Sequence, residues 1–128
     1  MYRETAALTQ NTKNNPADPT LRVRELNDNL RRNIFTSQPH GEIILTAGTA
    51  ALNDFDRFNL LTEVQCFEDF TEDNDPYQEH DFGAIDFKGE KYFWKIDYYD
   101  RNKEFHSPDK ADPNLTCRVL TIMQACEY

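Results

Sequence analysis

FGAIDFKGEKYFWKIDYY, residues 82–99, reads as a β-hairpin and decides the fold class. Two β-prone runs, Phe82 to Phe87 and Tyr92 to Tyr99, flank Lys88-Gly89, a pair suited to a tight reversal. In the second run Tyr92, Trp94, Ile96 and Tyr98 alternate with Phe93, Lys95, Asp97 and Tyr99, the period of two of a strand with one buried face. The first set is assigned to the core. Gly83 breaks the alternation of the first run and suggests a bulge.

Outward from the hairpin the chain supplies helices. Asp18-Pro19-Thr20 is a helix start, and Leu21, Val23, Leu26, Leu30 and Ile34 recur at mostly helical spacing, with Arg22, Arg24, Arg31 and Arg32 assigned to a basic outer face. Pro39 to Gly41 ends that helix, and Glu42 to Thr46 follows as a central strand. A second helix begins near Asp54, with Phe55, Phe58, Leu61 and Leu60 on its apolar face. Val64 to Phe70 can continue this helix or become a strand; a strand is preferred because the turn Asp73-Asn74-Asp75-Pro76 leads from it straight into the hairpin.

After the hairpin, Asp112-Pro113 looks like an N-cap followed by proline at the first helical position. Leu115, Val119, Ile122 and Cys126 then share a helical stripe, while the β-branched Thr116, Val119, Thr121 and Ile122 leave a strand open. Residues 1–17, polar and aperiodic, read as a flexible arm before a single domain of residues 18–128. The order of elements argues for α+β: an antiparallel sheet of about four strands with helices packed on one face.

Leu, Ile, Val and Phe make up 28 of 128 residues, so aromatic rings must supply much of the core. The net charge of -9 is concentrated: residues 63–104 hold thirteen acidic and five basic side chains, whereas residues 1–62 hold seven of each. Such a face repels nucleic acid and anionic lipid and is drawn to a basic surface. The ordinary reading of a charge run is a solvated face that aids solubility. Three cysteines without CxxC spacing indicate neither a disulfide framework nor a zinc knuckle and fit a reducing cytoplasm. No run of apolar residues is long enough to span a bilayer.

The carboxylates Glu68, Asp69, Glu72, Asp73, Asp75, Glu79 and Asp81, with Tyr77 as an aromatic anchor, form the candidate partner-binding turn. Within it Asp75, Glu79, His80 and Asp81 offer a second reading, a metal-dependent hydrolase with imidazole and carboxylates as ligands or acid and base. The spacing is not that of an EF-hand: counted from Asp73, the fifth, sixth and twelfth positions are Tyr77, Gln78 and Ala84. Cys66 sits in an apolar run and reads as a buried hydrophobe; paired with His80 it would be a nucleophile only if the fold joined them. No nucleotide motif follows Gly48, and no cofactor is implied. The strand aromatics could stack bases, but Asp86, Glu90, Asp97 and Asp100 surround them, so direct nucleic-acid binding is not expected.

The segments RELNDNLRR (24–32), ILTAG (44–48), FEDFTEDNDPYQEHDFG (67–83), YFWKIDYYD (92–100) and RVLTIMQACEY (118–128) resemble the family of small proteins classed as domain of unknown function 3768. That resemblance implies an accessory gene of plasmids and other mobile elements in alphaproteobacteria and relatives, often near anti-restriction genes. The expectation that follows is a cytoplasmic interaction protein whose acidic turn meets a basic surface of a host or defence complex, as an anti-CRISPR or anti-restriction inhibitor imitating DNA. A dimeric structural or regulatory protein, a homodimer built on its aromatic face, is the remaining alternative.

Overall fold

The computed structural model describes residues 18–39 and 41–128; the arm expected over residues 1–17 lies outside them. The elements run α1 (Pro19–Arg32), β1 (Gly41–Leu45), α2 (Ala47–Ala50), α3 (Asp54–Gln65), β2 (Phe82–Phe87), β3 (Glu90–Tyr99) and β4 (Cys117–Gln124), closed by a 3-10 turn, Ala125–Glu127. The strands form one sheet in the order β1-β4-β3-β2. The class is α+β. Three strands are antiparallel, and β1 joins parallel to β4, which makes the sheet mixed.

The hairpin forms as its sequence requires. Lys88 and Gly89 both adopt positive φ, 53° and 83°, the type I′ geometry that matches strand twist, and Phe87 pairs directly with Glu90. Tyr92, Trp94 and Ile96 are buried, and they share a cluster with Ile85 of β2, Leu120 and Ile122 of β4, Leu30 of α1, and Leu60 and Val64 of α3. Gly83 is no bulge. It pairs in register with Trp94, and its bare Cα is what lets the indole lie close: a Cβ there would fall 2.4 Å from Trp94 Nε1 and 2.8 Å from Phe67 Cε1.

Several expectations are overturned. β1, expected to be central, lies at an edge of the sheet and pairs only with β4. Residues 117–124 are a strand, not a helix, because β4 is the inner strand between β1 and β3; buried on both faces, it reads as a continuous apolar run whose helical spacing is accidental. Asp112-Pro113 belongs to a turn in which Asp112 Oδ1 accepts from Asn114 N at 2.8 Å. Val64 to Phe70 is not a strand: α3 continues to Gln65, since Leu60 and Val64 are buried one helical turn apart, and Cys66 is its exposed C-cap. The inward face of α3 is Asp56, Leu60 and Val64, which leaves Phe55 and Phe58 exposed rather than in the core.

A further reversal concerns α1, whose buried positions are Val23, Asn27, Asp28, Leu30 and Arg31. Arg31, assigned by spacing to the outer face, is only 1% exposed. Asp18 caps the helix by accepting from Thr20 N at 2.9 Å, as its sequence predicts.

Gly83→Ala is expected to cost about 2–3 kcal/mol, because the indole and Phe67 cannot both move aside in a packed core. Denaturant unfolding followed by Trp94 fluorescence checks this, and a loss below the error of the fit would refute the close approach.

Candidate functional site

One polar stripe of α1 organises the region where the sequence placed its candidates. Arg24 Nε donates to Gln78 O at 2.8 Å, Asn27 Nδ2 to Glu79 O at 3.0 Å, and Asp28 Oδ1 meets His80 Nδ1 at 2.9 Å. Helical spacings of three and four thus reach three consecutive residues of the turn. Gln78 and His80 both hold left-handed backbone, φ 60° and 58°, which costs non-glycine residues about 1–3 kcal/mol each. The α1 contacts and the bond from His80 N to Asp75 Oδ1, 3.0 Å, are what hold it.

Arg31 fastens the other end of the same segment. Its NH1 lies within hydrogen-bond distance of Val64 O, Gln65 O and Phe67 O, at 3.1, 3.1 and 2.8 Å, sharing its two N–H groups among the carbonyls where α3 stops. Its NH2 donates to Asp28 Oδ1 at 3.0 Å, and its guanidinium lies 5.2 Å from the Trp94 ring centroid and 5.4 Å from that of Phe70. Burial lowers the pKa of Arg31, and the Asp28 hydrogen bond opposes that shift. His80 stacks flat on Phe70, centroids 3.7 Å apart, with Nε2 3.6 Å from Asp75 Oδ2. Nδ1 is thus engaged by Asp28, while Nε2 faces Asp75 from beyond hydrogen-bond distance.

Glu79 and Asp81 belong to a second group, gathered around Tyr98. The Tyr98 hydroxyl accepts from Asn27 Nδ2 at 2.7 Å and can donate to Glu79 Oε1 or Asp81 Oδ2, each 3.3 Å away. Lys110 Nζ is 2.7 Å from Glu79 Oε2, and Arg118 Nε donates to Asn27 Oδ1 at 2.9 Å. Burial, and then the Asp81 charge, raise the Tyr98 pKa; burial, Glu79 and Asp75 raise that of Asp81. The four residues of the hydrolase reading are thus divided between two hydrogen-bonded groups. Among the described residues no three His, Cys, Asp or Glu side chains are placed to hold a metal ion.

The eight partner-binding candidates split the same way. Asp75 and Glu79 are buried and Asp81 half-buried, all turned inward, while Glu68, Asp69, Glu72 and Asp73 are exposed and Tyr77 is 78% exposed. The outer loop is braced internally: Asn74 Oδ1 accepts from Thr71 N at 2.9 Å, and Asn74 Nδ2 donates to Asp69 O at 2.8 Å. Beside it an open cleft of about 580 Å³ is lined by Arg24, Phe70, Glu72, Asp75, Gln78 and His80 among others. Sequence reasoning missed Asn27, Asp28, Arg31, Tyr98, Lys110 and Arg118. The signal was present in α1, where Val23, Asn27, Leu30, Arg31 and Ile34 lie on one narrow helical face.

A family model described as Protein of unknown function (DUF3768) matches residues 45–127, about two thirds of the chain. No curated protein and no solved structure matches it. Among the described residues no helix is long and apolar enough to cross a membrane.

Because the folded-state pKa of Asp81 is raised, the folded protein binds this proton more readily than the unfolded chain. The charged carboxylate is therefore a penalty that grows as pH rises above the ordinary carboxylate range and is relieved below it. Asp81→Asn is expected to raise the Tm by a few degrees at neutral pH, with the gain shrinking as pH falls towards about 4. Thermal unfolding of both proteins across that range checks the sign; a variant less stable at neutral pH would contradict it. Arg31→Ala is expected to cost about 3–5 kcal/mol, since it strands Asp28 and the α3 carbonyls together, and the same unfolding measurements test it.

Proposed function

We propose that this chain, which belongs to the family described as Protein of unknown function (DUF3768), acts by protein binding through the loop of Glu68, Asp69, Glu72, Asp73 and Tyr77. One observation carries the reading. The loop projects four carboxylates and an aromatic ring into solvent, yet it is fastened at both ends by α1: at the Phe67 carbonyl through Arg31, at the Gln78 and Glu79 carbonyls through Arg24 and Asn27, and at the His80 ring through Asp28. A loop held in its exposed shape loses little entropy on binding, and its charges favour a basic partner.

The finer reading is inhibition of a host defence complex, anti-CRISPR or anti-restriction in kind, at a groove that normally holds nucleic acid. Glu68, Asp69, Glu72 and Asp73 lie within six residues of a turned segment, a dense set of carboxylates of the kind that can stand in for phosphates in such a groove.

The test is affinity capture with wild type, a Glu68→Gln/Asp69→Asn/Glu72→Gln/Asp73→Asn variant, and Tyr77→Ala. The captured partner's affinity is then measured at about 50 and 200 mM salt. Added salt is expected to weaken wild-type binding at least tenfold, and the amide variant to lose at least tenfold at low salt with its fold unchanged. Equal binding by wild type and amide variant would defeat the reading.

A further inference from the structure

The His80 ring leaves one polar gap open in the cleft beside the acidic loop. An ionised carboxylate only accepts, so the proton between Asp28 Oδ1 and His80 Nδ1, 2.9 Å apart, belongs to the imidazole. In the neutral ring Nε2 is then a lone-pair acceptor. It faces Asp75 Oδ2 at 3.6 Å, and that oxygen is an acceptor too. Two acceptors turned towards each other with no proton between them call for a donor from elsewhere.

Asp75 is fixed in this position from the inside. Its side chain is only 5% exposed, and Oδ1 accepts from His80 N at 3.0 Å, which leaves Oδ2 without a hydrogen bond from the described residues. Oδ2 is not sealed in the core, because the fully enclosed side-chain polar atoms without a partner are Arg31 Nε and Trp94 Nε1 alone among the described residues. Asp75 and His80 both line the open cleft of about 580 Å³, so the gap between them is reached from there. A carboxylate placed this deep and only half satisfied is costly unless something outside completes it.

The walls of the cleft select the donor. Glu72 adds a second carboxylate, exposed, and unlike Glu79, which Lys110 approaches to 2.7 Å, it has no ion-pair partner among the described residues. Arg24 is turned to the neutral Gln78, with Nε on Gln78 O at 2.8 Å and NH2 3.4 Å from Gln78 Oε1. An anion would meet two carboxylates, and a neutral hydroxyl would leave their charge uncompensated. A cation that carries N–H groups supplies both the charge and the missing proton.

We infer that this cleft receives a cationic side chain, lysine or arginine, of the basic protein that the acidic loop engages, with an N–H group between His80 Nε2 and Asp75 Oδ2. The inference rests on the protein-binding reading of the loop and adds a specific contact to it. Outer carboxylates attract a basic surface from many angles, whereas this gap admits one donor in one place. Lysine brings a compact ammonium and arginine a planar fork, so titration separates the two.

The probes are acetyl-lysine amide and acetyl-arginine amide, with acetyl-citrulline amide as an uncharged control of the arginine shape. Each is titrated from about 1 to about 100 mM into the isotope-labelled full chain at constant ionic strength and about pH 8, where imidazole is ordinarily neutral. At least one cation is expected to saturate, shifting the His80 ring and the amides of Asp75, Gln78 and His80, while the citrulline probe leaves them in place. In Asp75→Asn the new amide can donate to Nε2 while its oxygen keeps the bond from His80 N, so the Tm should hold and the cation affinity should fall at least fivefold. Glu72→Gln, at an exposed position, should weaken the same titration at least twofold and tests the cleft without touching the core. No saturation by either cation, the result when water alone fills the gap, overturns the inference. Saturation indifferent to both substitutions overturns it too, and so does zinc binding at these residues in place of either cation. Each of these failures is distinct from failure of the loop reading, which is decided by capture with the four-amide variant, in which Asp75 is unchanged.

Discussion

The buried guanidinium of Arg31 is the interaction on which the rest of this structure hangs. It ends α3 by taking three carbonyls, sits against the Trp94 ring at the centre of the sheet, and holds Asp28, which in turn holds His80. A cation so placed costs several kcal/mol to desolvate, and its partners must return that cost. Here they do so with nearly every donor used; among the described residues only Arg31 Nε and Trp94 Nε1 are buried side-chain polar atoms without a partner. Helix, sheet and acidic loop thereby share one set of bonds.

The hairpin was legible in the sequence because its signals agree with one another. The alternation of residues 92–98, the Lys88-Gly89 turn and the aromatic content all name the same structure, and the burial pattern of β3 follows the alternation. β4 was misread because a strand buried on both faces has no alternation to show, and Leu115, Val119, Ile122 and Cys126 match a helical stripe as well as chance allows. The end of α3 was misread for a different reason. The carbonyls that stop the helix are satisfied by Arg31, more than thirty residues upstream, and no local pattern reports such a partner.

The same distinction applies to the site. The acidic block stood out by composition, yet composition could not separate Asp75, Glu79 and Asp81, which face inward, from Glu68, Asp69, Glu72 and Asp73, which face solvent. Asp75 is turned in by accepting from His80 N, and Glu79 lies between the left-handed Gln78 and His80. Tyr98 and Lys110 collect Glu79 and Asp81, and burial, with the nearby charges of Glu79 and Asp75, raises the pKa of Asp81.

A polar stripe at the inward face of α1 is a poor way to make a stable protein. Replacing a buried ionic group by packed apolar residues is often neutral or stabilising, so Asn27, Asp28 and Arg31 are not accounted for by stability alone. What leucine or methionine could not supply is direction: hydrogen bonds at fixed angles to the carbonyls of residues 64, 65, 67 and 79 and to the His80 ring. An apolar stripe would keep the core and release the loop between Phe67 and His80 into many shapes. The stripe therefore makes physical sense as a device for holding that loop, and the loop's outward carboxylates are what it holds in place.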